Sequence, residues 1–208
     1  MKYIDINIHH PNPKKIEEVV KILQDGKVIA IPTDTCYALA CVPNIKSAVE
    51  KLVQIRNLDP KKPRALIFSG IEQVSRYTLL SNQNFKILKN HLPGPYCFVL
   101  ESNHELPKFI GDKRNHIGIR IPNHPIILEI VSALNIPLTV TSAVSLEDDS
   151  ILKNVWEVEQ AFGHQLEAIV DCGEEVETLD FSSVIDLTGD EINIIREGLG
   201  DISAFIQR

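Results

Sequence analysis

The chain is poor in aromatic residues, which make up 6% of its 208 residues, and it has one tryptophan and one methionine. It therefore offers few platforms for stacking unpaired bases. No C-x-x-C spacing links its four cysteines, Cys36, Cys41, Cys97 and Cys172, and its seven histidines form no H-E-x-x-H. Those absences argue against a disulfide framework and against a protein-held metal; the cysteines read as reduced, mostly buried thiols of a cytoplasmic protein. No apolar run is long enough to cross a bilayer, and the first residues contain no apolar core of signal-peptide length. Neither G-x-x-x-x-G-K-[ST] nor G-x-G-x-x-G occurs, which disfavours P-loop and Rossmann nucleotide sites.

What is present suits one domain over residues 1–208, since 44% of the residues are hydrophobic. The net charge of −7 is unevenly spread. Residues 46–120 hold 13 basic against 6 acidic residues, and residues 121–208 hold 3 against 17. A basic middle segment in an acidic chain points to a local anion site, or to a surface on which the charges interleave.

Strand and helix patterns alternate. Asn12-Pro13 opens a helix as cap and first residue, with Ile16, Val19, Val20 and Leu23 on one face. The apolar run Val28–Ile31 reads as a buried strand, with a short strand around Tyr37–Cys41. Asn44 is expected to cap a second helix that runs to about Ile55, and residues 56–64 read as a basic loop. Further strands are expected at Ala65–Phe68, Cys97–Leu100, Gly118–Ile121 and Leu138–Thr141, then near 168–171, 183–187 and 191–196. Helices are expected over about 71–77, 82–91, 124–134 and 155–162, the last capped by Asn154. This is an α/β pattern. Its late strands crowd together without helices, so the sheet should be mixed.

Polar groups recur where buried strands end. Pro32 stops the strand Val28–Ile31 and hands it to Thr33-Asp34-Thr35-Cys36-Tyr37. Arg120 sits in a strand of Ile and Gly, where a guanidinium must face an anion or form an internal ion pair, Asp34 being the candidate partner. Thr141-Ser142 and Ser182-Ser183 place hydroxyls at two more such points, and Arg196 lies beside Gly198 and Gly200. Arg56, Lys61, Lys62 and Arg64 supply a basic loop. Cys36 beside Asp34 is either a nucleophile or an inert buried thiol.

Taken in order, Pro32-Thr33-Asp34-Thr35-x-Tyr37, Leu92-Pro93-Gly94-Pro95, Arg120-Ile121-Pro122, Thr141-Ser142-Ala143, Ser182-Ser183-Val184-Ile185-Asp186 and Arg196-Glu197-Gly198 resemble the YrdC/YciO family over about residues 10–205, closest to its YciO-like branch. The resemblance implies a YrdC-like (DHBP-synthase-like) fold, a twisted mixed sheet flanked by helices around a concave, positively charged groove. It also implies threonylcarbamoyl-AMP synthesis from threonine, bicarbonate and ATP, which feeds the t6A modification of tRNA. On that reading Thr33, Thr35, Tyr37 and Arg56 line the threonine and carbamate end, and Arg120, Ser142, Ser182 and Arg196 the nucleotide end. Magnesium would come with ATP. The alternative is a nucleotide- or double-stranded-RNA-binding protein of the YciO type, and a third is a different small-molecule reaction in the same groove.

The chain departs from the synthase pattern at four places. The family's Lys-x-Arg is Arg56-Asn57-Leu58, its Ser-Ala-Asn is Ser142-Ala143-Val144, its Pro-Gly-Pro-x-Thr ends in Cys97, and its Tyr-Gly-Leu is Tyr37-Ala38-Leu39. Losing one charge-assisted bond to a substrate carboxylate costs about 1.5–3 kcal/mol.

Overall fold

The computed structural model describes residues 1–59, 64–103, 105–107, 109–110, 115–173 and 180–206. Ten strands among them form one mixed sheet in the order β1-β8-β2-β3-β7-β4-β6-β5-β9-β10. They are β1 (Lys2–Asp5), β2 (Ile29–Ile31), β3 (Ala38–Cys41), β4 (Ala65–Ile67), β5 (Tyr96–Glu101), β6 (His116–Arg120), β7 (Leu138–Ser142), β8 (Ala168–Asp171), β9 (Ser183–Asp186) and β10 (Asn193–Arg196). The helices are α1 (Pro13–Gln24), α2 (Lys46–Ile55), α3 (Ile71–Tyr77), α4 (Asn82–His91), α5 (Pro125–Leu134) and α6 (Val155–Phe162).

Period-two alternation sends successive strand residues to opposite faces, and the core is split accordingly. Ile29, Ile31, Ala38, Ala40, Ile67 and Leu138 join the apolar stripes of α1 and α5 on one face. Ala30, Leu39, Leu66 and Phe98 face the other way, toward Leu52 of α2, Val74 of α3, Leu88 of α4 and Phe162 of α6. The mixed, helix-flanked sheet is the architecture that the sequence pattern leads one to expect.

Local chemistry explains most boundaries. The Asn12 side chain accepts from the amide of Lys14 at 3.0 Å, and Asn154 does the same for Glu157 at 3.0 Å. The second helix differs from expectation. Ile45, in an extended conformation, is its N-cap and makes no side-chain bond, so Asn44 lies one residue too early to serve. Among the described residues no helix is long and apolar enough to cross a membrane. All four cysteines are free and buried.

Candidate functional site

The face of the sheet that carries α1 and α5 also bears a cavity of about 560 Å³. Its floor crosses several strands where their residues are small. Ala38 of β3, Ala65 of β4 and Cys97 of β5 line it beside Val140 and Val184. Ala65 pairs with Val140 on one side and Gly118 on the other. A Cβ on Gly118 would stand 2.9 Å from the Cys97 sulfur and 3.3 Å from the Ala65 Cα. Glycine at 118 leaves the room that the Cys97 sulfur and the neighbouring β4 backbone take up.

Four guanidiniums line this space. Arg56 follows the last turn of α2 and reaches across to the end of β7. Its Nε donates to the Ser142 carbonyl at 3.1 Å and its Nη1 to the Val144 carbonyl at 3.0 Å. The cation also lies 5.9 Å from the centre of the Phe162 ring. Arg196 ends β10. It donates to the Ser182 carbonyl from Nε at 3.1 Å and from Nη2 at 2.8 Å, and rests 5.0 Å over the Phe181 ring. Arg64 enters β4 and donates to the Asp59 carbonyl at 3.0 Å, while its buried Nε has no partner among the described residues. Burial pushes the pKa of all three below the ordinary arginine value, as expected where solvation of the charge is lost.

Arg120 is held differently. It is 6% exposed, and its main-chain carbonyl accepts from the Phe68 amide at 2.9 Å. Its Nη2 donates to Asp34 Oδ1 at 2.8 Å and to the Thr35 hydroxyl at 3.1 Å. The other carboxylate oxygen of Asp34 accepts from the Asn123 amide at 2.9 Å. Both side chains of this ion pair are buried. The internal pair that the sequence offered as one of two readings is therefore formed, and Arg120 still borders the cavity with its Nε unpartnered among the described residues.

The strand-end residues divide. Arg56, Arg64, Arg120, Ser142, Ser182 and Arg196 come together at the cavity. Thr33, Thr35 and Tyr37 do not line it. The Thr33 hydroxyl is used inside its own turn, donating to the Cys36 carbonyl at 2.6 Å and accepting from the amides of Thr35 and Cys36. Thr35 is wholly buried, and its hydroxyl accepts from Arg120 Nη2. Tyr37 turns into the core, and its enclosed hydroxyl is hard to ionise because burial raises its pKa. Cys36 is 1% exposed. Lys61 and Lys62 lie outside the described residues.

The sequence did not single out two carboxylates at this site. Asp59 and Asp149 both line the cavity, and the field of each favours the charged form of its neighbour, Arg64 and Arg56 respectively. Asp149 belongs to the acidic stretch after β7 and has φ of 58°, a left-handed turn conformation that residue type alone did not disclose. Cys97, where the synthase pattern has threonine, is also part of the wall. Burial raises its thiol pKa although Arg120 and Arg196 pull the other way.

Comparison with known proteins places this geometry. The Sua5/YciO/YrdC family model, described as telomere recombination, matches residues 21–198. The chain is 33% identical to YciO of Escherichia coli K12 over 202 residues, covering 96% of this chain and 97% of that one. The crystal structure of E. coli YciO superposes with a TM-score of 0.89 at 31% identity, covering 99% of this chain and 98% of that one. The threonylcarbamoyl-AMP synthase of Bos taurus is 32% identical over 200 residues, covering 92% of this chain and 71% of that one. The fold also matches Sua5 of P. abyssi complexed with L-threonine at a TM-score of 0.87 and 24% identity, covering 95% of this chain and 58% of that one. The chain belongs to the Sua5/YciO/YrdC family.

Proposed function

We propose that the cavity binds ATP through its phosphates and joins a carbamoylated amino acid, L-threonine in the first instance, to the adenylate. One observation carries the reading. Arg56, Arg64, Arg120 and Arg196 come from four separate segments and border one space. Three of them, Arg56, Arg64 and Arg196, are anchored among the described residues by main-chain carbonyls, with one serine hydroxyl added at Arg196. A neutral oxygen orients a guanidinium without cancelling its charge. Charge left in that state suits an anionic ligand.

In this reading Arg196, Arg120 and the hydroxyls of Ser182 and Ser142 take the nucleotide end. Arg56 receives the amino-acid carboxylate, while Thr33, Thr35 and Tyr37 shape the wall from behind. The amine condenses with bicarbonate to a carbamate and water. A carbamate oxygen then attacks the α-phosphorus, the bond to the bridging oxygen breaks, and pyrophosphate leaves with the electron pair. Such a displacement needs alignment and neutralisation of charge more than a strong base, and guanidiniums supply both. The donor set of four guanidiniums against two carboxylates suits polyphosphate better than a dedicated divalent cage. Magnesium in this reading arrives on ATP, bound by phosphate oxygens.

The test is incubation with L-threonine, bicarbonate, ATP and magnesium, with threonylcarbamoyl-adenylate read by mass spectrometry. Product above a blank without protein is expected. Its absence with folded protein, across a panel of amino acids, contradicts the reading. A product with another amino acid and none with threonine moves the specificity and keeps the chemistry. Donation of the product to tRNA is the corresponding downstream expectation.

A further inference from the structure

The counter-charge at Arg120 has a consequence for ligand affinity. Arg56, Arg64 and Arg196 are fastened by neutral oxygens. Among the described residues, Arg120 alone of the four cavity arginines makes an ion pair within 4 Å, and that pair is closed on both sides. Asp34 spends one oxygen on Arg120 Nη2 and the other on the Asn123 amide, so protein atoms occupy both of its oxygens. With its charge partly offset, Arg120 is left with a buried Nε–H that has no partner among the described residues at the cavity border. It keeps a directional donor while Asp34 offsets part of the charge that it brings to the space.

We infer that Asp34 is a charge attenuator: it holds the anion affinity of the cavity down, so that a polyphosphate product can leave a site whose other arginines are held by neutral oxygens. The inference rests on the phosphate reading of the cavity. A residue that merely oriented Arg120 would weaken anion binding when its charge was removed. An attenuator does the reverse, because taking away one negative charge raises the attraction of the cavity for pyrophosphate. Asparagine is the informative replacement, since its carbonyl oxygen still accepts from Arg120.

The experiment is isothermal titration of the full chain with inorganic pyrophosphate, without metal, at several salt concentrations. The series is wild type, Asp34→Asn, Arg120→Gln and the double variant, with each fold checked by circular dichroism. Asp34→Asn should bind about tenfold tighter and with a steeper salt dependence, as expected for one unit of charge acting across a partly buried site. Arg120→Gln should bind about tenfold more weakly. The double variant, with the formal charge of the wild type, should return to within about threefold of it. Asp34→Ser is measured alongside, because the amide group introduced by Asp34→Asn sets its own N–H against that of Asn123. If both Asp34 variants fail to fold, or fold and bind no tighter than wild type while wild type binds, Asp34 is only a structural counter-ion and the inference is overturned. If no member of the series binds pyrophosphate, the phosphate reading itself fails and this inference goes with it.

Discussion

Arg196 has a strong claim to contact with ligand, because its anchors leave its charge uncompensated. Its Nε and Nη2 share the Ser182 carbonyl, and the Phe181 ring supports its flat face. Arg196→Gln keeps an amide that can donate to that carbonyl and removes the charge. ATP affinity is expected to fall at least about tenfold, as for loss of one charge-assisted bond. The melting temperature should change by less than about 2 °C, because the residue is exposed and at an edge strand. Titration calorimetry and a thermal melt check both. A second residue-scale prediction concerns Cys41. Burial pushes its thiol pKa up to about 12 from an ordinary value of 9.0. The folded chain therefore holds a proton that the unfolded chain releases. The associated stability is whole below about pH 9 and is lost as pH rises toward 12, at about 1.4 kcal/mol per unit. Cys41→Ala should remove about 1.4 kcal/mol of the stability lost between pH 8 and pH 10 in urea melts. An unchanged slope contradicts the assignment.

At the scale of elements, caps and strand spacing carried most of the information. Asn12 and Asn154 were legible because an N-cap is a local matter of one side chain and an amide two or three residues on. Asn154→Ala should cost about 1 kcal/mol in a denaturant melt and leave ATP binding intact. Asn44 misled because tertiary packing places the start of α2 at Lys46. Thr33 and Thr35 were legible as a polar strand end but not as inward-facing, since the use of a hydroxyl by its own turn depends on backbone angles. Asp59 and Asp149 were missed for the same reason: loop residues become wall only after β4 and β7 lie side by side. The backbone is tight where the chain leaving β10 passes the residues that enter β9. A Cβ on Gly198 would run into the Phe181 carbonyl oxygen and stand 2.8 Å from the Ser182 carbonyl carbon. Gly198→Ala must therefore displace the backbone that holds Arg196. Lower melting temperature and lost ATP affinity should appear together in this variant, whereas Arg196→Gln shows only the second.

At the scale of the whole molecule, an acidic protein carries an electropositive cavity. Arg56, Arg64 and Arg120 turn into the cavity, while Lys46 and Arg76 pair with Glu50 and Glu72 one helical turn away. Guanidiniums gathered around one space suit a small, highly charged ligand. The net charge of −7 opposes indiscriminate binding of polyanions. The pattern of six short motifs led to the family, and the sheet order explains why they belong together: β7, β4, β6, β5 and β9 are neighbours in space although α-helices separate several of them in sequence. That the four arginines form one anion site, with the ATP phosphates at its Arg120 and Arg196 end, is checked by titrating the protein with a non-hydrolysable ATP analogue and magnesium. One saturable site is predicted, weakened about tenfold or more in Arg120→Gln and in Arg196→Gln alike. Equal affinity in wild type and both variants, or no binding to the folded wild type, would contradict it.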